Sequence, residues 1–179
     1  MTTIERRTRQ EAIVPDSING LPLHPLVVHA VVVLLPLACL GVIAVALRSS
    51  WRARYGGIVV ALATLATLAI PVATHSGEQL ALKVGDPGQH AVLGDRLLWF
   101  ALPLLVAAVA LYVLGRRGAR AGSESGGGAA VGGSSALTLA VAAVAVIVAG
   151  ANLVQVYRVG DSGARAVWQG VQNVPSQNR

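Results

Sequence analysis

The stretch LPLHPLVVHAVVVLLP, residues 21–36, gives the strongest indication of the fold of this chain. It opens an apolar run that continues to Leu47, and about 20 apolar residues are enough to cross the hydrocarbon core of a membrane. Two histidines, His24 and His29, lie near the N-terminal end of this run. An imidazole at that depth is costly unless it has partners, so the pair marks a candidate site. The stretch therefore predicts a membrane-spanning helix with polar groups at one end.

The composition of the whole chain is typical of a membrane protein. Of its 179 residues 54% are hydrophobic and only 12% are charged, whereas soluble domains carry about 25% charged residues. The net charge of +6 does not indicate nucleic-acid binding, because Lys and Arg lie in short segments between apolar runs and aromatic residues are few. The only cysteine, Cys39, excludes an intramolecular disulfide, a CxxCH haem attachment and a cysteine-ligated cluster. The only methionine, Met1, argues against a thioether copper site.

Four apolar segments predict an all-α fold, an integral membrane four-helix bundle within residues 21–170. We place the spans at about residues 25–47, 57–75, 97–114 and 136–157. The polar residues 1–20 and 171–179 predict tails outside the membrane domain. The Gly/Ser-rich segment 115–135 predicts a flexible linker.

The arginines predict how the bundle is oriented. The second connector, 76–96, holds only Lys83 and Arg96. The first and third connectors hold six arginines, which are Arg48, Arg52, Arg54, Arg116, Arg117 and Arg120. The positive-inside rule therefore places these two connectors in the cytoplasm and both termini outside the inner (cytoplasmic) membrane.

The histidines gather at the outer end, because the spans alternate in direction. The residues at this end are His24 and His29 at the first span, His75 at the end of the second, His90 before the third and Asp161 after the fourth. Glu78 shares a helix face with His75, three residues away, and joins this polar cluster. The cluster is the candidate site of the protein.

The two halves of the chain resemble each other and suggest two tandem helical hairpins. His29-Ala-Val leads to a Leu-Pro-Leu and then to His75-Ser-Gly, and His90-Ala-Val leads to a Leu-Pro-Leu and then to Asp161-Ser-Gly. The His-to-Pro spacings differ, seven residues against thirteen, so chance similarity in an Ala/Val/Leu-rich chain stays an alternative. A genuine duplication pairs His29 with His75 and His90 with Asp161, in parallel repeats about an axis normal to the membrane.

Three segments carry a resemblance to a known family. LPLHPLVVHAVVVLLPLA at residues 21–38, THSGE at 74–78 and VGDSGARAVW at 159–168 resemble the small bacterial four-span membrane proteins known as DUF2231. Some relatives are joined to Rieske or cytochrome modules, and the resemblance therefore implies electron transfer by association. The polar positions of the family fall on His24, Pro25, His29, His75, Gly77 and Glu78. Asp161 stands where many relatives have a histidine, which departs from a four-histidine ligand set.

Three functions remain open for the cluster. The one we favour is a haem-b-binding or redox-associated membrane subunit, with His29 and His75 as axial ligands and a redox partner protein or quinone at the outer face. The second is a metal site, most readily zinc, made by His29, His75, Glu78 and Asp161. The third is a non-enzymatic scaffold that docks a partner in the membrane.

In the scaffold hypothesis the histidines cap helix ends, and this role suits His24 and His90 best. In the haem and metal hypotheses His24 and His90 support the site. The sequence has no HExxH motif, phosphate-binding loop or G-x-S-x-G elbow, so we do not expect an enzyme on its own. The oligomeric state does not follow from the sequence.

Overall fold

The computed structural model describes the chain over residues 17–18, 21–85, 88–124 and 133–168. Its long elements are four helices, α1 (Leu23–Leu47), α2 (Ser49–Val84), α3 (Gln89–Glu124) and α4 (Gly133–Trp168). Each contains a segment long and apolar enough to cross a membrane. The predicted all-α, four-span membrane bundle is confirmed, and the spans imply a lipid bilayer as its environment.

Two very short strands precede the bundle. Strand β1 (Ser17–Ile18) pairs antiparallel with β2 (Leu21–Pro22), directly before α1. Most of the predicted N-terminal tail, the whole predicted tail 171–179 and the middle of the predicted linker lie outside the described residues.

The helices extend beyond the predicted spans. On one side α2 continues to Val84 and α3 begins at Gln89, so most of the predicted second connector is helical. Gly85, directly after α2, and Gly88, directly before α3, have positive φ angles of 105° and 59°, which glycine adopts without steric strain. On the other side α3 runs to Glu124, and the first part of the predicted linker is therefore helical as well.

A single residue, Arg48, separates α1 from α2 and has an extended backbone. The last carbonyls of a helix have no partner within the helix. Here the buried Arg52 side chain reaches back to them, donating from Nε to the carbonyl of Val45 (2.9 Å) and from Nη2 to that of Ala46 (2.6 Å). The tight hairpin is thus closed by a side-chain cap.

Consecutive helices are neighbours, α4 returns to pack on α1, and α1 also contacts α3 across the centre of the bundle. The core is made of small and branched apolar side chains, with Leu35 and Leu104 fully buried. Large apolar side chains also cover the outside, where Leu68 and Ile147 are more than half exposed. Such a surface suits contact with lipid chains rather than water.

The burial pattern of the first hairpin recurs in the second. Shifted by 66 residues, five buried positions of α1 coincide with buried positions of α3: Val31 with Leu97, Leu35 with Ala101, Ala38 with Leu104, Val42 with Ala108 and Val45 with Leu111. Shifted by 86 residues, three of α2 coincide with those of α4: Val59 with Ala145, Ala63 with Ala149 and Ala66 with Asn152. This repetition supports the interpretation of two tandem hairpins.

The same shifts align His24 with His90 and His75 with Asp161. The match between the two halves of the sequence instead aligned His29 with His90, because both residues begin a His-Ala-Val tripeptide. The buried faces of the helices overrule that match, since they report which side of each helix meets the core.

Candidate functional site

His24 lies in the first turn of α1 and reaches across to α2. Its Nδ1 is 2.9 Å from the carbonyl oxygen of Ala73. A carbonyl oxygen can only accept, so Nδ1 donates and the neutral ring keeps its lone pair on Nε2. The ring rests on Gly77, where a Cβ would lie 2.9 Å from the Cε1 atom of His24. Gly77 is thus the residue that lets the imidazole approach α2.

His90 repeats this arrangement in the second hairpin. From the first turn of α3 its Nδ1 donates to the carbonyl of Val159 on α4, at 3.1 Å, and the Ser162 hydroxyl oxygen is 3.4 Å from the same nitrogen. Its ring rests on Gly163, where a Cβ would lie 3.0 Å from the Nδ1 and Cε1 atoms. Nε2 of His90 therefore also keeps its lone pair.

We call these two contacts, His24 with Ala73 and Gly77 and His90 with Val159 and Gly163, the histidine clasps. A serine accompanies each of them. Ser76 donates to the carbonyl of Ala73 at 3.0 Å, and Ser162 donates to that of Val159 at 2.8 Å. The carbonyl that receives the histidine thus also receives a hydroxyl in both hairpins. The Ser-Gly pair that recurs in the two halves of the sequence marks these two contacts.

The two imidazoles meet each other between α1 and α3. Their ring centroids are 6.4 Å apart and the ring planes are nearly perpendicular, at 81°. Each ring is oriented by an Nδ1–H bond to a backbone carbonyl, which is a common way in which proteins orient histidines that ligate a metal through Nε2. The structure thus brings together His24 and His90, which the sequence had assigned a supporting role.

The predicted axial ligands, His29 and His75, make contacts within their own helices. His29 is exposed and its Nδ1 donates to the carbonyl of Pro25, at 2.5 Å. His75 is 40% exposed, and its Nδ1 lies 3.7 Å from the Glu78 carboxylate, which is itself 72% exposed. Both histidines therefore make local contacts at the bundle surface, whereas His24 and His90 connect different helices.

Asp161 pairs with Arg165 one turn later on α4, with 2.9 Å between carboxylate oxygen and Nε. Across the part of the chain that the structure describes, no three side chains of His, Cys, Asp or Glu are grouped so that they could hold a metal ion. The predicted set of His29, His75, Glu78 and Asp161 is therefore not assembled here.

An open cavity of about 350 Å³ lies beside His90, between the ends of α3 and α4. Its lining includes Gln89, Arg158 and Ser162, whose hydroxyl oxygen lies 3.4 Å from the Nδ1 of His90. Asp161 and Arg165 line it as well, and they form an ion pair with each other. The lining therefore combines this ion pair with the cation of Arg158.

Below His90, two buried amides connect α4 to α3. Asn152 donates to the carbonyl of Phe100 at 2.8 Å, and Gln155 donates to that of Leu93 at 3.1 Å. Both side chains face the bundle interior, as expected for polar residues in a membrane span. The first hairpin has alanines, Ala66 and Ala69, at the equivalent positions, so only the second hairpin is held by amides.

Comparisons with known proteins bear on the whole of this bundle. A family model described as a predicted membrane protein, DUF2231, matches residues 20–175. No curated protein and no solved structure matches the chain. The family match covers all four helices and both histidine clasps.

Proposed function

The chain belongs to the DUF2231 family of predicted membrane proteins, and we propose that it is a membrane subunit that binds one haem b between His24 and His90. The observation that carries this proposal is the pair of Nδ1–H bonds to the carbonyls of Ala73 and Val159. They orient one ring from α1 and one from α3, two helices that meet across the centre of the bundle, and leave two Nε2 lone pairs for one iron.

The distance between the rings supports a shared metal. Two imidazoles on opposite sides of one ion, each with a metal–nitrogen bond of about 2 Å, have ring centroids about 6 Å apart. The observed separation of the His24 and His90 centroids is 6.4 Å.

The number of ligands favours haem over zinc. A porphyrin brings four nitrogens of its own and asks the protein only for axial ligands, whereas a structural zinc site takes four protein ligands. Among the described side chains, His24 and His90 have no third His, Cys, Asp or Glu grouped with them. Two imidazoles are therefore enough for haem and too few for a closed zinc site.

The surroundings also suit this cofactor. The wall of the bundle is apolar, and Arg158 lines the cavity beside His90, where a propionate group needs a cation. When bound, the haem supplies one-electron redox chemistry. The residues of this chain hold and orient it at one rim of the bundle, which we assign to the outer face of the inner membrane. A redox partner protein or quinone would exchange electrons there.

The test is the absorbance spectrum of the protein purified in mild detergent from cells supplied with haem. We expect a Soret band that is lost in His24→Ala and in His90→Ala. The matched controls are His29→Ala and His75→Ala, which remove imidazoles that bond only within their own helices and should keep the band. A band that survives His24→Ala, or one lost only in the controls, would contradict the proposal.

A second candidate, a non-enzymatic scaffold, is favoured by the same hydrogen bonds. They tie α1 to α2 and α3 to α4 through backbone carbonyls without any cofactor. A colourless, metal-free protein whose melting temperature falls in His24→Ala would support the scaffold. Stoichiometric zinc found by metal analysis in a colourless protein would instead support a zinc-stabilised form, with its remaining ligands from water or a partner.

A further inference from the structure

The end of the bundle opposite to the histidines carries three exposed arginines that lie over aromatic rings. The guanidinium carbon of Arg48 is 5.0 Å from the centroid of the Trp51 ring. The corresponding distances are 5.3 Å from Arg54 to Tyr55 and 5.9 Å from Arg116 to Tyr112. We refer to Arg48, Arg54 and Arg116 as the arginine rim.

These cation–π contacts leave the arginines able to bind an anion. Such a contact uses the charge of the guanidinium group and none of its N–H hydrogen bonds, so the donors stay available. Those donors match the two oxygens of a phosphate in a bidentate hydrogen bond. The rim thus presents three donor groups whose positions are already restricted by the rings beneath them.

The carboxylates whose side chains the structure describes lie away from the rim. They are Glu78, Asp95 and Asp161, all towards the histidine end. Arg165 at that end illustrates the contrast, because it pairs with Asp161 at 2.9 Å. The compensating negative charge for the rim must come from outside these residues.

The position of the rim identifies the anion. It lies at the edge of the apolar outer surface, where Leu47 and Ile58 are 76% and 61% exposed. Tryptophan and tyrosine at such an edge sit at the level of the lipid headgroups. We propose that the arginine rim binds the phosphates of anionic phospholipid headgroups. Each cation near an anionic membrane surface contributes about 1 kcal/mol, which corresponds to about a fivefold change in affinity.

The test measures lipid retention by native mass spectrometry, with phosphatidylglycerol and phosphatidylcholine offered in equal amounts. We expect the wild-type protein to retain phosphatidylglycerol preferentially, and the double variant Arg54→Gln/Arg116→Gln to bind it about 25-fold more weakly. The control Lys83→Gln/Arg96→Gln removes two positive charges at the histidine end and should keep the preference. Equal retention by both variants, or no preference in the wild type, would overturn the proposal.

A second measurement guards against a misfolded variant. The melting temperature of each protein is compared in vesicles of phosphatidylcholine alone and in vesicles that also contain phosphatidylglycerol. A variant that folds has a cooperative transition in phosphatidylcholine, and only the additional rise caused by phosphatidylglycerol reports on the rim. We expect that rise to disappear in Arg54→Gln/Arg116→Gln and to persist in the control. Persistence in both would refute lipid binding by the rim.

Discussion

His24 and His29 are separated by five residues, a rotation of about 140° around a helix with 3.6 residues per turn. The two imidazoles therefore leave α1 in directions too different to face one neighbouring helix. The sequence could predict that the histidines gather at one end, because the spans alternate in direction. Which of them meet depends on the rotation of each helix about its axis, and alanine, valine and leucine on every face left that rotation undetermined.

At the scale of single residues, the glycines beneath the two imidazoles are testable. A Cβ added by Gly77→Ala or Gly163→Ala would lie about 3 Å from the ring of His24 or His90. The ring would have to shift and its hydrogen bond would weaken, so we expect a loss of about 1–3 kcal/mol in stability. Thermal unfolding followed by tryptophan fluorescence measures this loss.

The matched control for these glycines is Gly160→Ala, at a helical position where nothing lies within 4 Å of an added Cβ. Alanine is the better helix former, so this variant should be as stable as the wild type or more stable. Equal melting temperatures for Gly77→Ala, Gly163→Ala and Gly160→Ala would show that the rings do not rest on the glycines.

At the scale of elements, α2 and α3 approach each other closely at Gly115. The sequence placed this glycine at the start of a flexible linker, because glycine and serine dominate the following residues. The structure has it inside α3, where a Cβ would lie 2.5 Å from the Cβ of Arg52 and 2.9 Å from the backbone nitrogen of Ala53. Small residues allow membrane helices to approach in this way, and composition alone cannot distinguish such a glycine from a linker glycine.

Substitution of Gly115 should separate the two helices. The atoms that an added Cβ would meet include the backbone of α2, which cannot move aside easily. Gly115→Ala should therefore lower the free energy of unfolding by about 1–3 kcal/mol or more. Gly118→Ala, one turn later and with nothing within 4 Å, serves as the control and should be tolerated. Melting temperatures in detergent compare the two, and a Gly115→Ala protein as stable as Gly118→Ala would refute the close crossing.

The hairpin between α1 and α2 depends on its arginine cap. Arg52→Met keeps an apolar stem but removes the donors to the carbonyls of Val45 and Ala46. Hydrogen bonds from a charged group contribute about 1.5–3 kcal/mol each, so we expect a loss of at least about 2 kcal/mol. Arg54→Met, which removes an exposed arginine of the same helix, should cost less than about 1 kcal/mol by the same measurement. A reversed order would contradict the cap.

At the scale of the whole molecule, length and hydropathy were enough to predict four helices, because a membrane span needs about 20 apolar residues whatever its neighbours are. The alignment of the two hairpins was not predictable in the same way. Its shifts are 66 residues for α1 to α3 and 86 for α2 to α4, and the difference lies in unequal connectors. Only the buried faces reveal that His24 corresponds to His90.

The orientation of the protein in the membrane can be determined by labelling a cysteine introduced at one exposed position. Cys39 is fully buried, so the wild-type protein should not react with a membrane-impermeant maleimide. The exposed positions Ser50 and Leu82 lie at opposite ends of α2. On spheroplasts we expect labelling of Leu82→Cys but not of Ser50→Cys, and labelling of both after lysis. The opposite pattern would place the arginine-rich end outside.

The site between His24 and His90 is tested most directly by titrating haem into the apoprotein reconstituted in lipid nanodiscs. We expect saturation at one haem per chain with a six-coordinate, low-spin spectrum, in the wild type and equally in His29→Ala. We expect loss of that spectrum in His24→Ala and in His90→Ala. The absence of saturable binding, or an unchanged six-coordinate spectrum in His24→Ala, would contradict it.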